Sequence, residues 1–237
     1  MTKVGVFLAK IVAIVNQKGG VGKTTTCVNL SAALNQLGKR VLLVDGDPQG
    51  NASTGMGVAK STRPNTYDML INEATAAECV VQTESGDVIP ASKELAAASV
   101  ELIGAQAREY VMKNALMTLY SEYDYIFIDC PPSLELLTVN ALVAADSVLI
   151  PMQCEYYALE GIADLVTSIK MCKKRLNKRL EVEGIVLTMY DARANLTSQV
   201  AAELRKYLEG KVYDTVIPRS IRLSEAPSHG LPGIVYD

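Results

Sequence analysis

Ile11-Val12-Ala13-Ile14-Val15-Asn16-Gln17-Lys18-Gly19-Gly20-Val21-Gly22-Lys23-Thr24-Thr25 joins an apolar run to a glycine-rich turn and then to a helical pattern. The five apolar residues predict a strand, and Thr25–Leu37 repeats with a helical period. Between them, Gly19, Gly20 and Gly22 let consecutive backbone N–H groups around Val21 converge on one anion. The helix opening near Lys23 adds about half a positive charge from its dipole. Lys23 stands where an ammonium reaches terminal phosphates, and Thr24 where a hydroxyl can ligate a Mg²⁺ that bridges β- and γ-phosphates. The loop Lys18–Thr25 is therefore expected to cradle a nucleoside triphosphate. An ordinary strand-to-helix turn with solvated lysines is the competing reading. Strand, glycines, lysine and paired threonines all falling in register favours the phosphate loop.

Outward from the loop, short apolar runs alternate with helical patterns. Val41–Val44 follows the first helix; Tyr125–Ile128 precedes Leu134–Ala144; Ser147–Ile150 precedes Leu159–Leu176; Val182–Leu187 precedes Leu196–Leu208; Thr215–Ile217 closes the series. This rhythm predicts an α/β fold: a doubly wound, mostly parallel sheet with helices on both faces. Runs such as Val41-Leu42-Leu43-Val44 and Ile126-Phe127-Ile128 are apolar without alternation, as strands buried on both faces should be. Thr54–Leu119 is less regular, with turn signals at Arg63-Pro64-Asn65 and Ser85-Gly86-Asp87 and Ala-rich helical stretches after Glu94, and its topology is left open.

The 237 residues suffice for one α/β domain with a sizeable core. Five cysteines, Cys27, Cys79, Cys130, Cys154 and Cys172, show no C-x-x-C spacing, which argues against a disulfide framework or zinc site and for a reducing cytoplasm. The apolar strip Val4–Ala9 is too short for a secretory signal, no later segment approaches a membrane span, and no membrane partner is expected.

In open α/β sheets the ligand sits beyond the carboxyl ends of the strands, so polar residues directly after apolar runs are the candidates. Asp45-Gly46-Asp47 follows one run and Asp129-Cys130 another. Asp129 is the candidate to hold Mg²⁺ opposite Thr24, with Asp45 in a supporting role, although an acidic residue at a strand end can equally be a turn former. Charge is divided along the chain. Residues 1–169 carry 11 Lys/Arg against 18 Asp/Glu, and residues 170–237 carry 12 against 8. The C-terminal third could meet a phosphate backbone even though the formal net charge is −3, and ordinary solvated lysines would give the same split.

Gln17 stands where the common phosphate-loop pattern has glycine, and Lys18 adds a second ammonium at the mouth of the site. This pairing resembles the deviant Walker A ATPases of the ParA/MinD superfamily. Asp47-Pro48-Gln49-Gly50-Asn51-Ala52, Gln153-Cys154-Glu155-Tyr156-Tyr157-Ala158-Leu159-Glu160-Gly161 and Ile217–Gly230 are similar to its ParA/Soj chromosome-partitioning branch, and the likeness runs from Lys10 to Asp237. The resemblance implies an ATPase using ATP and Mg²⁺ that forms a homodimer with ATP. It also implies that the dimer coats DNA without sequence preference and is discharged by a ParB-type centromere-binding protein, in the cytoplasm on the nucleoid. By the same resemblance Lys18 crosses to the partner's nucleotide, Asp47 orients or deprotonates the attacking water, Pro218 and Ser220 lie against the base, and Arg193 and Arg222 contact DNA. Ser220 departs from the asparagine more often found there. The alternative for the two arginines is surface pairing with Asp191 or Glu225.

The resemblance also implies a further C-terminal helix beyond Tyr236-Asp237, so residues 1–237 read as a single ATPase domain without that helix. His229, in a Ser-His-Gly turn, is expected to be structural, and Cys130 lacks the partner cysteine that a bridged iron–sulfur cluster needs. Tyr156 and Tyr157 suit a helix entry or an interface. Two other functions compete: a nucleotide-dependent regulator that holds a replication-initiation or transcription partner, and a MinD-like membrane-associated ATPase, which should lack the Pro218–Gly230 stretch.

Overall fold

A computed structural model describes residues 8–155 and 158–237, so the expectations for Val4–Phe7, Tyr156 and Tyr157 lie outside it. The first half runs β1 (Lys10–Ile14), α1 (Lys23–Gln36), β2 (Val41–Asp45), α2 (Asn51–Gly55), α3 (Thr66–Leu70), β3 (Val81–Thr83), β4 (Gly86–Ile89), α4 (Leu95–Glu101) and α5 (Val111–Leu116). The second runs β5 (Tyr125–Asp129), α6 (Leu136–Ala144), β6 (Ser147–Gln153), α7 (Ala158–Arg175), β7 (Glu181–Tyr190), α8 (Asn195–Tyr207), β8 (Val212–Pro218), α9 (Ile221–Glu225) and α10 (Gly233–Tyr236).

Among the described residues eight strands form one sheet in the order β3-β4-β2-β5-β1-β6-β7-β8, parallel except for β3 against β4. β5 lies between β1 and β2, pairing Ile14 with Asp129 on one side and Asp45 with Asp129 on the other. The chain leaves β1 towards β2 and later crosses from β5 to β6 on the far side of β1, so the winding reverses at β1. That reversal opens the crevice at the carboxyl end of β1 where α/β sheets hold ligands.

The pleat divides each central strand between two cores. Ile11, Ala13, Leu42, Val44, Ile126 and Ile128 face the larger one, with Leu137 and Ala141 of α6 and Ile162, Leu165 and Ile169 of α7. Val12, Ile14, Val41, Leu43 and Phe127 face the smaller one, under Cys27 and Val28 of α1. Side chains alternating between two apolar layers explain the unbroken apolar runs, and each fully buried Leu or Ile contributes roughly 1.5–3 kcal/mol. On α7 the buried residues recur with a helical period, while Lys170, Lys174 and Arg175 lie exposed on the opposite face and Lys173 pairs with Glu181. The basic run is thus the solvated side of an amphipathic helix.

The segment Thr54–Leu119 resolves into a short β3–β4 hairpin and helices α3 to α5. β4 joins the sheet beside β2 with only Val88 and Ile89 buried as apolar anchors, too little pattern for periodicity to mark.

Candidate active site

The loop after β1 enters α1 through Gly22, whose φ of 85° is left-handed and so favours glycine. No side chain among the described residues caps this N-terminus, and the first turn of α1 holds no acidic residue. The N–H groups of Gly19, Gly20, Val21 and Gly22 have no acceptor among the described residues. An uncapped helix start preceded by four free N–H groups is an anion site by construction.

The two lysines of the loop are in opposite environments. Lys23 is buried, 7% exposed, and its Nζ donates to the Lys18 carbonyl at 2.9 Å. Burial draws its ammonium below the ordinary 10.5, against the carboxyl groups of Asp129 and Asp47. The Lys18 side chain is 56% exposed and reaches the rim, where it pairs with Glu155. The loop itself is braced from β1: Asn16 accepts the Lys18 N–H at 3.0 Å and donates to the Pro151 carbonyl at 2.8 Å.

Across the crevice, register places Asp45 and Asp129 side by side, both fully buried. Thr24 Oγ1 donates to Asp129 Oδ2 at 2.7 Å. Asp129 Oδ1 is buried without a hydrogen-bond partner among the described residues. Burial, then the neighbouring Asp45, pushes the Asp129 carboxyl well above the usual carboxylate range. Burial likewise raises Asp45 to about 6 despite its bonds from Ser53 and Asp47. An orphaned carboxylate oxygen beside a threonine hydroxyl, in a pocket with excess negative charge, fits a hard divalent cation such as Mg²⁺.

Asp45 is otherwise engaged. Its Oδ2 accepts from the Ser53 N–H at 2.7 Å and Ser53 Oγ at 2.6 Å, and its Oδ1 from the Asp47 N–H at 3.2 Å. Gly46 donates to the Asp129 carbonyl at 2.9 Å, and a Cβ at Gly46 would meet that oxygen at 2.8 Å, so only glycine lets the two strand ends approach this closely. Asp47, 8% exposed, accepts the Gln49 N–H on Oδ1 at 2.9 Å, while Oδ2 has no hydrogen bond among the described residues.

Pro218 and Ser220 line a cavity of about 310 Å³ together with Gly22, Thr25, Thr26 and Met189. That adjacency puts the sequence-expected base contacts next to the phosphate loop. Arg193 and Arg222 stand outside the crevice. The Arg193 side chain is 91% exposed and paired with Asp191, and that of Arg222 pairs with Glu225 and Asp237. Both pairings match the alternative that the sequence left open, and both leave the guanidinium at the surface. His229 stacks on Tyr236 with ring centroids 4.8 Å apart, a structural contact as expected. All five cysteines are free. Sequence reasoning passed over Asn16, Ser53 and Thr188. Asn16 and Thr188 each directly follow an apolar run, so the strand-end rule that found Asp45 and Asp129 would have found them too.

Residues 9–182 match a family model described as an AAA domain. The sporulation initiation inhibitor protein Soj of Bacillus subtilis is 56% identical over 233 residues, covering 97% of this chain and 92% of that protein. The chromosome partitioning protein ParA of Caulobacter vibrioides is 51% identical over 233 residues, covering 96% and 87%. A solved structure described as cobyrinic acid a,c-diamide synthase of Mycobacterium smegmatis, with bound ATP analogue and magnesium, aligns with a TM-score of 0.86 at 35% identity, covering 97% of this chain and 91% of that one. Identity of this extent over nearly the whole chain means that the chain belongs to the ParA/Soj family of chromosome-partitioning ATPases.

Proposed function

We propose that this ATPase is a DNA-partitioning switch: ATP draws two copies together, the dimer binds DNA without sequence preference, and a ParB-type partner discharges it by stimulating hydrolysis. The observation that carries this reading is the separation of the loop lysines. Lys23 is buried among the site's carboxylates, whereas Lys18 stands on the rim, facing outwards. One lysine serves the chain's own nucleotide, and the other is placed to serve a neighbour's.

The chemistry follows from the positions. The N–H groups of residues 19–22 and Lys23 bind the phosphates, and Pro218 and Ser220 bound the space for the base. Thr24 and Asp129 would hold Mg²⁺, which when bound neutralises charge on the β- and γ-phosphates. Asp47, whose Oδ2 has no hydrogen bond among the described residues, orients the water that attacks the γ-phosphorus. Asp45 acts through its bonds to Ser53 and the Asp47 N–H, which fix the direction of that carboxylate. Phosphoryl transfer is mostly positioning and charge neutralisation, and a cation delivered in trans can contribute about 10³–10⁵ in rate. Lys18 is that cation, once it exchanges Glu155 for the partner's phosphates.

Arg193 and Arg222 supply the DNA contacts. Their ion pairs with Asp191 and with Glu225 and Asp237 are solvent-screened surface pairs, so phosphates can displace them. Each phosphate neutralised should steepen the log–log salt dependence by about 0.9. The proposed place of action is the cytoplasm, on the nucleoid. Among the described residues no helix is long and apolar enough to cross a membrane. The deciding experiment is DNA retention across a salt series with ATP, ADP and no nucleotide, for the parent and Arg222→Ala. Retention should require ATP and lose about one unit of salt slope in the variant; retention indifferent to nucleotide would end the switch model.

A further inference from the structure

A second set of bonds holds the phosphate loop, and it comes from the far side of the sheet. At the carboxyl ends of β6 and β7, Gln153 is the register partner of Thr188. Both side chains turn to the loop. Thr188 Oγ1 donates to the Val21 carbonyl at 2.7 Å, a contact spanning 167 residues of sequence. Gln153 Nε2 donates to the Gly20 carbonyl at 3.1 Å. Thr188 is buried, and a Cβ added at Gly22 would lie 3.7 Å from its Cβ.

A trans peptide is planar, so the C=O of one residue and the N–H of the next point in opposite directions. Drawing the carbonyls of Gly20 and Val21 towards β6 and β7 therefore aims the N–H groups of Val21 and Gly22 the other way. Those two N–H groups are among the four without an acceptor among the described residues. The direction is not set locally. The Val21–Gly22 peptide turns about ψ of Val21 and φ of Gly22, and Gly22, at φ 85°, tolerates either hand, so that peptide could turn over at little cost. An outside bond has to decide it.

We infer that Thr188 is a positioning residue for nucleotide binding: its hydroxyl, acting through the Val21 carbonyl, holds the peptide that presents the Gly22 N–H to the phosphates. Gln153 does the same, less tightly, for the Val21 N–H. Neither reaches the reacting atoms. The inference rests on the ATPase assignment and is independent of DNA, partner or dimer. Because loop amides of this kind cradle the α- and β-phosphates, ATP and ADP should depend on Thr188 alike, while turnover at saturation, set by Asp47 and the cations, should not.

The test compares the parent, Thr188→Val and Thr188→Ser for MgATP and MgADP affinity, for turnover at saturating ATP, and for melting temperature without nucleotide. Thr188→Val keeps the shape and loses the donor. It should weaken both nucleotides about tenfold, the worth of one hydroxyl–carbonyl bond, with kcat within about threefold. Thr188→Ser restores the donor and should return both affinities to within about twofold of the parent. Parent-like affinity in Thr188→Val overturns the inference, as does Thr188→Ser binding as weakly as Thr188→Val, which would make packing the cause. A loss confined to kcat overturns it too. If Thr188→Val does not fold, Gln153→Met decides: weakening of both nucleotides by about threefold supports the inference, and unchanged affinity overturns it. Failure of the parent itself to bind MgATP would instead break the nucleotide-site assignment.

Discussion

The loop after β1 and the loop after β2 meet at one crevice and are built in opposite ways. The first, Lys18–Thr25, leaves the N–H groups of residues 19–22 unbonded among the described residues and is held through its carbonyls and one N–H by the side chains of Asn16, Gln153 and Thr188. The second, Asp45–Ser53, closes on itself: Ser53 and the Asp47 N–H bond Asp45, the Gln49 N–H bonds Asp47, and the Gly50 N–H bonds the Asp47 carbonyl at 2.9 Å. Lys60 adds bonds to the Gln49 carbonyl and to Asn51 Oδ1. A loop that binds an anion must keep its donors for the ligand, so its shape has to be supported from behind. A loop that aims a carboxylate can consume its own donors, because what it offers is one free oxygen in a fixed direction.

The sharpest break of that contrast is kinetic. Lys18→Ala should lower hydrolysis by about 10³ or more while leaving ATP affinity within about threefold, as measured by phosphate release and by equilibrium binding. Unchanged turnover would remove Lys18 from the site. Asp47→Asn, in the self-bonded loop, should cost about 10²–10⁴ in turnover, again with binding retained, because only the oriented base is lost. Lys23→Ala should do the reverse, weakening ATP by about 10² through loss of a buried charged donor, which a titration of nucleotide against the apo protein would read.

Smaller effects probe the closed loop's packing. In Gly46→Ala the new methyl would sit 2.8 Å from the Asp129 carbonyl, so the strand ends must part. The cost should be about 1–3 kcal/mol, seen as a fall of about 3–10 °C in melting temperature. The mildest prediction concerns pH. The Asp45 carboxyl sits at about 6 rather than 3.8, so between these values the folded protein keeps a proton that the unfolded chain releases, and this group's contribution to stability falls as pH rises through that window. Asp45→Asn, which cannot ionise, should gain about 2 kcal/mol on the parent as pH rises from 4 to 7 in the absence of nucleotide, apart from a pH-independent cost for the lost acceptor of the Asp47 N–H. A difference between the two melting curves that stays flat with pH would show that Asp45 ionises normally.

Periodicity and local chemistry determined much of this protein from the sequence alone. The unbroken apolar runs of β1, β2 and β5 required a sheet buried on both faces, and the glycines and lysines of residues 18–25 required a phosphate loop, because both depend on residues within a few positions of each other. The short anchors of β4 carried too little pattern to be read. The strand-end rule already set Asp129 opposite Thr24, 105 residues away, but tertiary structure alone decided the strand order that puts β6 and β7 on the far side of β1, and hence the meeting of Lys18 with Glu155, 137 away, and of Thr188 with Val21, 167 away. Those contacts link residues far apart in the chain, and their partners follow from how the layers pack; no local period encodes that packing.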